Sequence, residues 1–193
     1  MKYLFDLDGT LIHSDALNND AYNYALEKFG YPQIFSPERR LTRKDLLFVK
    51  AEDLTNIIKL KQKYFTEIWL PYRLTINTAL IQRIKKIGKD SCYIWTKANK
   101  NRVFSILKQC SLTNLFKAVL FDEKLNFYVS MQKIEEIVQS VEFIIYENDT
   151  VLFDGLPLQK IDHIIAGKFD VYAYHIKLSG GERAVLSKGD YVC

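Results

Sequence analysis

Long hydrophobic runs are missing from this 193-residue chain. No apolar stretch approaches the ~20 residues that a membrane-spanning helix needs, so no membrane partner is expected. Cysteine is scarce. Cys92, Cys110 and Cys193 are odd in number and share no paired spacing, which argues against a disulfide framework and for thiols kept reduced. Glycine and proline number only 8 and 4, which excludes collagen-like and linker-rich chains. The 3 histidines, His13, His163 and His175, lack the spacing of metal ligands. The opening Met1-Lys2-Tyr3-Leu4-Phe5 runs straight into Asp6 and Asp8, too short an apolar stretch for a signal peptide. A cytoplasmic location is the expectation.

What is present is an ordinary globular composition, 48% hydrophobic and 26% charged. A chain of this size buries roughly 70% of its unfolded surface, so one core with a modest insertion is expected. The net charge of +4 favours an anionic ligand slightly. It leaves nucleic acid open as a partner without favouring it, and the oligomeric state is not legible.

The apolar pattern alternates between short strands and helices. Lys2-Tyr3-Leu4-Phe5-Asp6-Leu7-Asp8 reads as a strand ending in acids. From about 16 to 75 the pattern is helical: Leu17, Ala21, Tyr24, Ala25 and Phe29, with Gly30 to stop the helix, then Leu54, Ile57, Ile58, Phe65 and Ile68. A basic stretch, Arg39 to Lys44, lies between them. Leu80, Ile81, Ile84 and Ile87 make a helix that Gly88 ends. Cys92-Tyr93-Ile94-Trp95 is a strand with Thr96 at its exit. Val103, Ile106, Leu107 and Cys110 make the next helix, and Ala118-Val119-Leu120-Phe121 is a strand ending at Asp122. A helix with Ser130 as N-cap, a strand Phe143-Ile144-Ile145-Tyr146, a helix near 158–166 and a strand at 171–176 follow. The tail from Leu178, with Gly180 and Arg183, shows no period. Short strands buried on both faces and separated by helices predict an α/β fold with a doubly wound parallel sheet. Ligands then bind beyond the carboxyl ends of the strands, where Asp6, Asp8, Thr96 and Asp149 converge.

Asp6-x-Asp8 followed by Gly9-Thr10 is the most informative feature. On a continuing strand the two carboxylates point the same way. They repel unless a cation or a shared proton relieves them. Mg²⁺, which prefers carboxylate and water oxygens, suits that role. Gly9 permits a turn in which backbone N–H groups approach an anion.

Phe5-Asp6-Leu7-Asp8-Gly9-Thr10-Leu11-Ile12 resembles the first motif of the haloacid dehalogenase (HAD) superfamily. Tyr93-Ile94-Trp95-Thr96 resembles the second motif. Ile144-Ile145-Tyr146-Glu147-Asn148-Asp149, with Asp154 beyond, resembles the fourth. The resemblance implies a Rossmann-like core over 1–14 and 76–193, with a small helical cap at 15–75, as in phosphoglycolate phosphatases and β-phosphoglucomutase. It implies a Mg²⁺-dependent phosphatase of small phosphorylated metabolites. Asp6 would be the nucleophile that forms an aspartyl-phosphate. Asp8 would be the general acid and then the base. Thr96, with Gly9, Thr10 and Lys97, would hold the phosphoryl group. Asp6, the backbone carbonyl of Asp8, Asp149 and Asp154 would surround the metal.

The second acid, Asp8, separates phosphatases and phosphomutases from the dehalogenase members. A site lysine is also implied, and two stand as candidates. Lys133 lies on the helix at 130–139 and Lys124 in the loop after the 118–121 strand. The short connection at Ser140-Val141 favours Lys133. Asn148 stands where relatives carry Gly or Asp. A nucleotide or nucleic-acid-end phosphatase, a phosphomutase and a decayed binding protein remain alternatives. Trp95 reads as core, and the runs at 39–44, 59–63 and 83–89 as solvated helix faces.

Overall fold

The computed structural model describes residues 1–35, 39–67, 74–156 and 158–178. In chain order the strands and helices are β1 (Lys2–Phe5), β2 (Ile12–His13), α1 (Asp15–Lys28), α2 (Ala51–Glu67), β3 (Thr75–Ile76), α3 (Thr78–Ile87), β4 (Cys92–Thr96), α4 (Lys100–Gln109), β5 (Ala118–Phe121), α5 (Phe127–Val138), β6 (Glu142–Glu147), β7 (Gln159–Ala166) and β8 (Phe169–Lys177). The tail beyond Leu178 and Ile68 of the second helical run lie outside the described residues.

Among the described residues the main sheet runs β5-β4-β1-β6-β8-β7. Its first four strands are mutually parallel. β4 is buried along its whole length and β6 along all but its first residue, as strands covered on both faces should be. Leu4, Trp95, Met131, Phe143 and Ile145 are fully buried in one apolar cluster on this sheet. Each such side chain contributes roughly 1.5–3 kcal/mol by leaving water. Phe5 stacks on Tyr146 with ring centroids 4.8 Å apart, which fixes β1 beside β6.

The sheet departs from the all-parallel expectation at one edge. The stretch at 158–166 is not a helix: it forms β7, which pairs antiparallel with β8, and β8 pairs antiparallel with β6. Leu158, Ile161, Ile164 and Ile165 satisfy a helical spacing, but three of them are β-branched. The two-residue connection Gly167-Lys168, with Gly167 at φ +61°, closes a hairpin there. Arg83 on α3 donates to the Tyr146 hydroxyl at 3.1 Å and pairs with Asp162 of β7, which holds the hairpin's inner face.

Caps explain several helix ends. Asn77 accepts the Leu80 N–H at 3.1 Å to start α3, and Gly88 follows its end. Such a cap is worth about 1 kcal/mol. Ser130 is not the N-cap of α5. Asn126 is, accepting the Val129 N–H at 3.1 Å, and Ser130 is buried one turn inside the helix.

The chain divides into two compact units. One comprises Met1–Ile12, Ile76–Ala98 and the described residues from Ser111 on. The other comprises the described residues of His13–Thr75 together with Asn99–Cys110, so it takes in α4 besides the insertion expected at 15–75. Tyr22, Ala25, Leu26, Leu41, Leu46, Val49 and Ile57 form the apolar core of the helical unit. The Arg102 guanidinium of α4 lies 4.4 Å from the Phe65 ring centre of α2. Two residues of the basic stretch pair within their own unit: Arg39 with Asp45, and Arg40 with Asp15 at 3.0 Å. No helix among the described residues is long and apolar enough to cross a membrane.

Candidate active site

β1, β4 and β6 are adjacent and parallel, so their carboxyl ends fall side by side. Phe5 is in register with Ile94 on one side and Tyr146 on the other. The next residue, Asp6, continues the pairing, its N–H donating to the Tyr146 carbonyl at 3.0 Å. β1 stops at Phe5 and the chain then bends, so Asp6 and Asp8 are not two alternate residues of one continuing strand. Asp6 is buried, 8% exposed, whereas Asp8 is half-buried on the turn. The turn is closed by backbone bonds from the Leu11 and Ile12 N–H groups to the Leu7 carbonyl, both 3.0 Å, and from Gly9 to Ile12 at 2.7 Å. Asn77 ties it down further, donating its side-chain amide to the Thr10 carbonyl at 3.1 Å and its backbone N–H to Leu11 at 2.9 Å.

Lys124 enters from the β5 edge of the sheet. It follows β5, two strands away from β1, and its Nζ donates to Asp6 Oδ1 at 2.7 Å and to Glu147 Oε2 at 2.8 Å. The ammonium also sits 4.5 Å from the Trp95 ring centre. All three charged side chains are at least nine-tenths buried. Lys133, by contrast, lies on the exposed face of α5. The short connection at Ser140-Val141 therefore does not bring it to Asp6; the left-handed backbone at Lys124, φ +53°, turns that residue inward instead.

Glu147 is the residue that sequence reasoning passed over. It ends β6 directly beside Asp6, and its other oxygen accepts the Asn148 and Asp149 N–H groups at 3.1 and 3.2 Å. The available signal was its place as the first acid after an apolar strand. Asn148, oriented so that its amide nitrogen faces acceptors, donates to the Asp8 carbonyl at 3.0 Å and to Glu147 Oε1 at 3.3 Å, and lies 3.1 Å from Thr10 Oγ1.

Electrostatics follow from this burial. Desolvation, and then the charge of Glu147, push the Asp6 carboxyl up to about 7, against the pull of Lys124, with Asp8 adding a smaller upward push. Burial by itself would depress Lys124, but the charges of Asp6 and Glu147 outweigh it and hold the ammonium above its usual value.

Thr96 is buried at the end of β4, its hydroxyl accepting the Ala98 N–H at 3.2 Å. Lys97 is exposed. Asp149 is exposed and accepts the Val151 N–H at 3.3 Å, while Asp154 is exposed at the end of the following turn. Among the described residues no three His, Cys, Asp or Glu side chains are grouped as ligands for one metal. The donors nonetheless fit magnesium in kind. They are all oxygens, and Asp6 and Glu147 bring two buried carboxylates to one ammonium, with the charge of Asp8 beside them. Of the histidines, His13 lies 3.6 Å from Asp15, His163 stacks on Tyr172 and His175 bonds Glu142 at 3.0 Å. Cys92 is buried, its thiol pushed up to about 11 by that burial. Cys193 lies outside the described residues.

No family model and no curated protein matches the sequence. Solved structures match the fold. A HAD-superfamily subfamily IA hydrolase from Geobacter sulfurreducens aligns with a TM-score of 0.53 at 16% identity, over 72% of this chain and 73% of that one. A haloacid dehalogenase-like hydrolase from Streptococcus pneumoniae gives 0.54 at 15% identity, over 72% and 70%. A variant of CbbY from Rhodobacter sphaeroides, in complex with xylulose-1,5-bisphosphate, gives 0.52 at 14% identity, over 69% and 72%. The chain therefore has the α/β fold of HAD-superfamily hydrolases, with the mostly parallel sheet that the motifs imply.

Proposed function

We propose that this protein is a Mg²⁺-dependent phosphatase that hydrolyses a small phosphorylated metabolite through an aspartyl-phosphate on Asp6. The observation that carries this reading is the buried carboxylate of Asp6 at the exit of the central parallel strand, held 2.7 Å from the Lys124 ammonium. A carboxylate desolvated in this way is a stronger nucleophile, and the fixed ammonium stabilises charge that grows on the transferred phosphoryl oxygens.

Each residue has one task in this mechanism. Asp6 attacks phosphorus. Asp8, half-buried on the turn, protonates the leaving oxygen and then removes a proton from the water that cleaves the acyl phosphate. Thr96, buried one strand away, and the backbone N–H groups of the Gly9-Thr10 turn orient phosphoryl oxygens. Lys124 balances Asp6 before attack and the phosphoryl group after it. Asp6, the Asp8 backbone carbonyl and an acid from the end of β6, Glu147 or Asp149, would hold Mg²⁺. When bound, the metal supplies further charge neutralisation to the phosphoryl oxygens.

The neighbours support the class of chemistry: two are described as hydrolases, and a third carries a sugar bisphosphate. The reading is tested by acid-quenching the enzyme during turnover and mapping phosphoryl mass on its peptides. The expected result is one phosphoryl group on the peptide that contains Asp6, labile to hydroxylamine. Turnover with phosphate accumulating on another residue would falsify the assignment.

A further inference from the structure

The reach of Lys124 depends on its backbone. It holds φ +53°, a left-handed conformation that a lysine adopts rarely. One neighbouring oxygen fixes it there. Asp122 Oδ1 accepts the Lys124 N–H at 2.6 Å and the Ser130 hydroxyl at 2.8 Å. The first bond closes a turn two residues long. The second ties that turn to the buried first turns of α5. The Asp122 N–H in turn donates to the Thr96 carbonyl at 3.1 Å, which anchors the assembly on the end of β4. Asp122 thus joins three segments of chain, the Lys124 turn and α5 through its half-buried carboxylate and the end of β4 through its backbone N–H.

We propose that Asp122 is a positioning residue, which holds Lys124 left-handed so that its ammonium is aimed at Asp6 and Glu147. Without this acceptor the Lys124 backbone relaxes toward ordinary φ values. The side chain then swings away from the two carboxylates into water. Ser130 acts in the same device by orienting the Asp122 carboxylate. The importance of Lys124 for catalysis rests on the phosphatase reading; its positioning by Asp122 does not.

The test reads Lys124 directly. The full-length protein is exposed to a limiting amine-acylating reagent, and labelling at each lysine is followed by mass spectrometry. Lys133, exposed on α5, serves as the internal reference. In the wild-type protein Lys124 should label far more slowly than Lys133. In Asp122→Ala, labelling at Lys124 should rise roughly ten-fold or more with Lys133 unchanged, as local protection is lost. Asp122→Asn retains a carbonyl acceptor and should restore protection. If Asp122→Ala does not fold, Ser130→Ala removes one of the two bonds and should speed Lys124 labelling several-fold. Lys124 as protected in a folded Asp122→Ala as in wild type, or in Ser130→Ala where the former does not fold, overturns the proposal. Hydrolysis of a phosphate ester, measured in parallel, should fall with that protection. Loss of protection in proteins that never hydrolyse the ester would leave the positioning intact and count against the phosphatase reading alone.

Discussion

Asn148 lies so close over Gly9 that a β-carbon built on the glycine would stand 2.5 Å from its side-chain amide. Gly9 also holds φ +87°, which favours glycine over any L side chain. Gly9→Ala should therefore cost roughly 1–3 kcal/mol and lower turnover, because the amide that caps the Asp8 carbonyl must move. Adding Asn148→Gly removes the clash but not the backbone strain. The double variant should regain only part of the stability, a non-additivity read from a thermal-melt cycle.

The raised Asp6 carboxyl sets a pH dependence. An attacking Asp6 must be ionised, and its carboxyl sits at about 7 without metal. At low Mg²⁺, kcat/KM should climb as pH rises through about 7 and then level off. Saturating Mg²⁺ should move that limb lower, since a cation favours the ionised form. A pH–rate profile at two metal concentrations checks both statements.

Stability should respond in the opposite sense. A carboxyl that holds its proton more tightly folded than unfolded stabilises the fold below its unfolded value of 3.8, and that contribution is lost as pH rises through about 7. Asp6→Asn stays neutral at every pH and leaves Lys124 paired with Glu147. At pH 8 it should be more stable than wild type by roughly 1 kcal/mol or more, with Tm higher by roughly 2–4 °C. The gap should close by pH 4. Thermal melts across that range measure it.

Removing the counter-charge should do the reverse. Lys124→Met leaves Asp6 and Glu147 buried together without their ammonium. Breaking such a group costs about 3–5 kcal/mol, reduced where one carboxyl takes up a proton. The variant should hydrolyse phosphate esters at least roughly a hundred-fold more slowly, and it should regain stability as pH falls from 8 to 5. Denaturant unfolding at the two pH values decides this.

The strands that build the site were legible because each is an apolar run too short for a helix, and the Asp6-x-Asp8-Gly9-Thr10 turn because it joins two acids to turn residues at a strand's end. The β7–β8 hairpin was not, since Leu158, Ile161, Ile164 and Ile165 carry a helix's spacing rather than a strand's alternation, and only pairing with β8 overrides it. The choice between Lys124 and Lys133 turned on one left-handed residue fixed by Asp122, a contact that spacing cannot express. Glu147 was hidden for a related reason. Its place at Asp6 follows from the register of Phe5 with Tyr146, which exists only once the strands pair.

The most direct measurement is phosphate release from an aryl phosphate by the purified protein, with and without Mg²⁺, beside Asp6→Asn. Metal-dependent release by the wild-type protein, absent from an Asp6→Asn variant that melts at an equal or higher temperature, is the predicted result. Equal release by both proteins contradicts the nucleophilic role of Asp6 and with it the account.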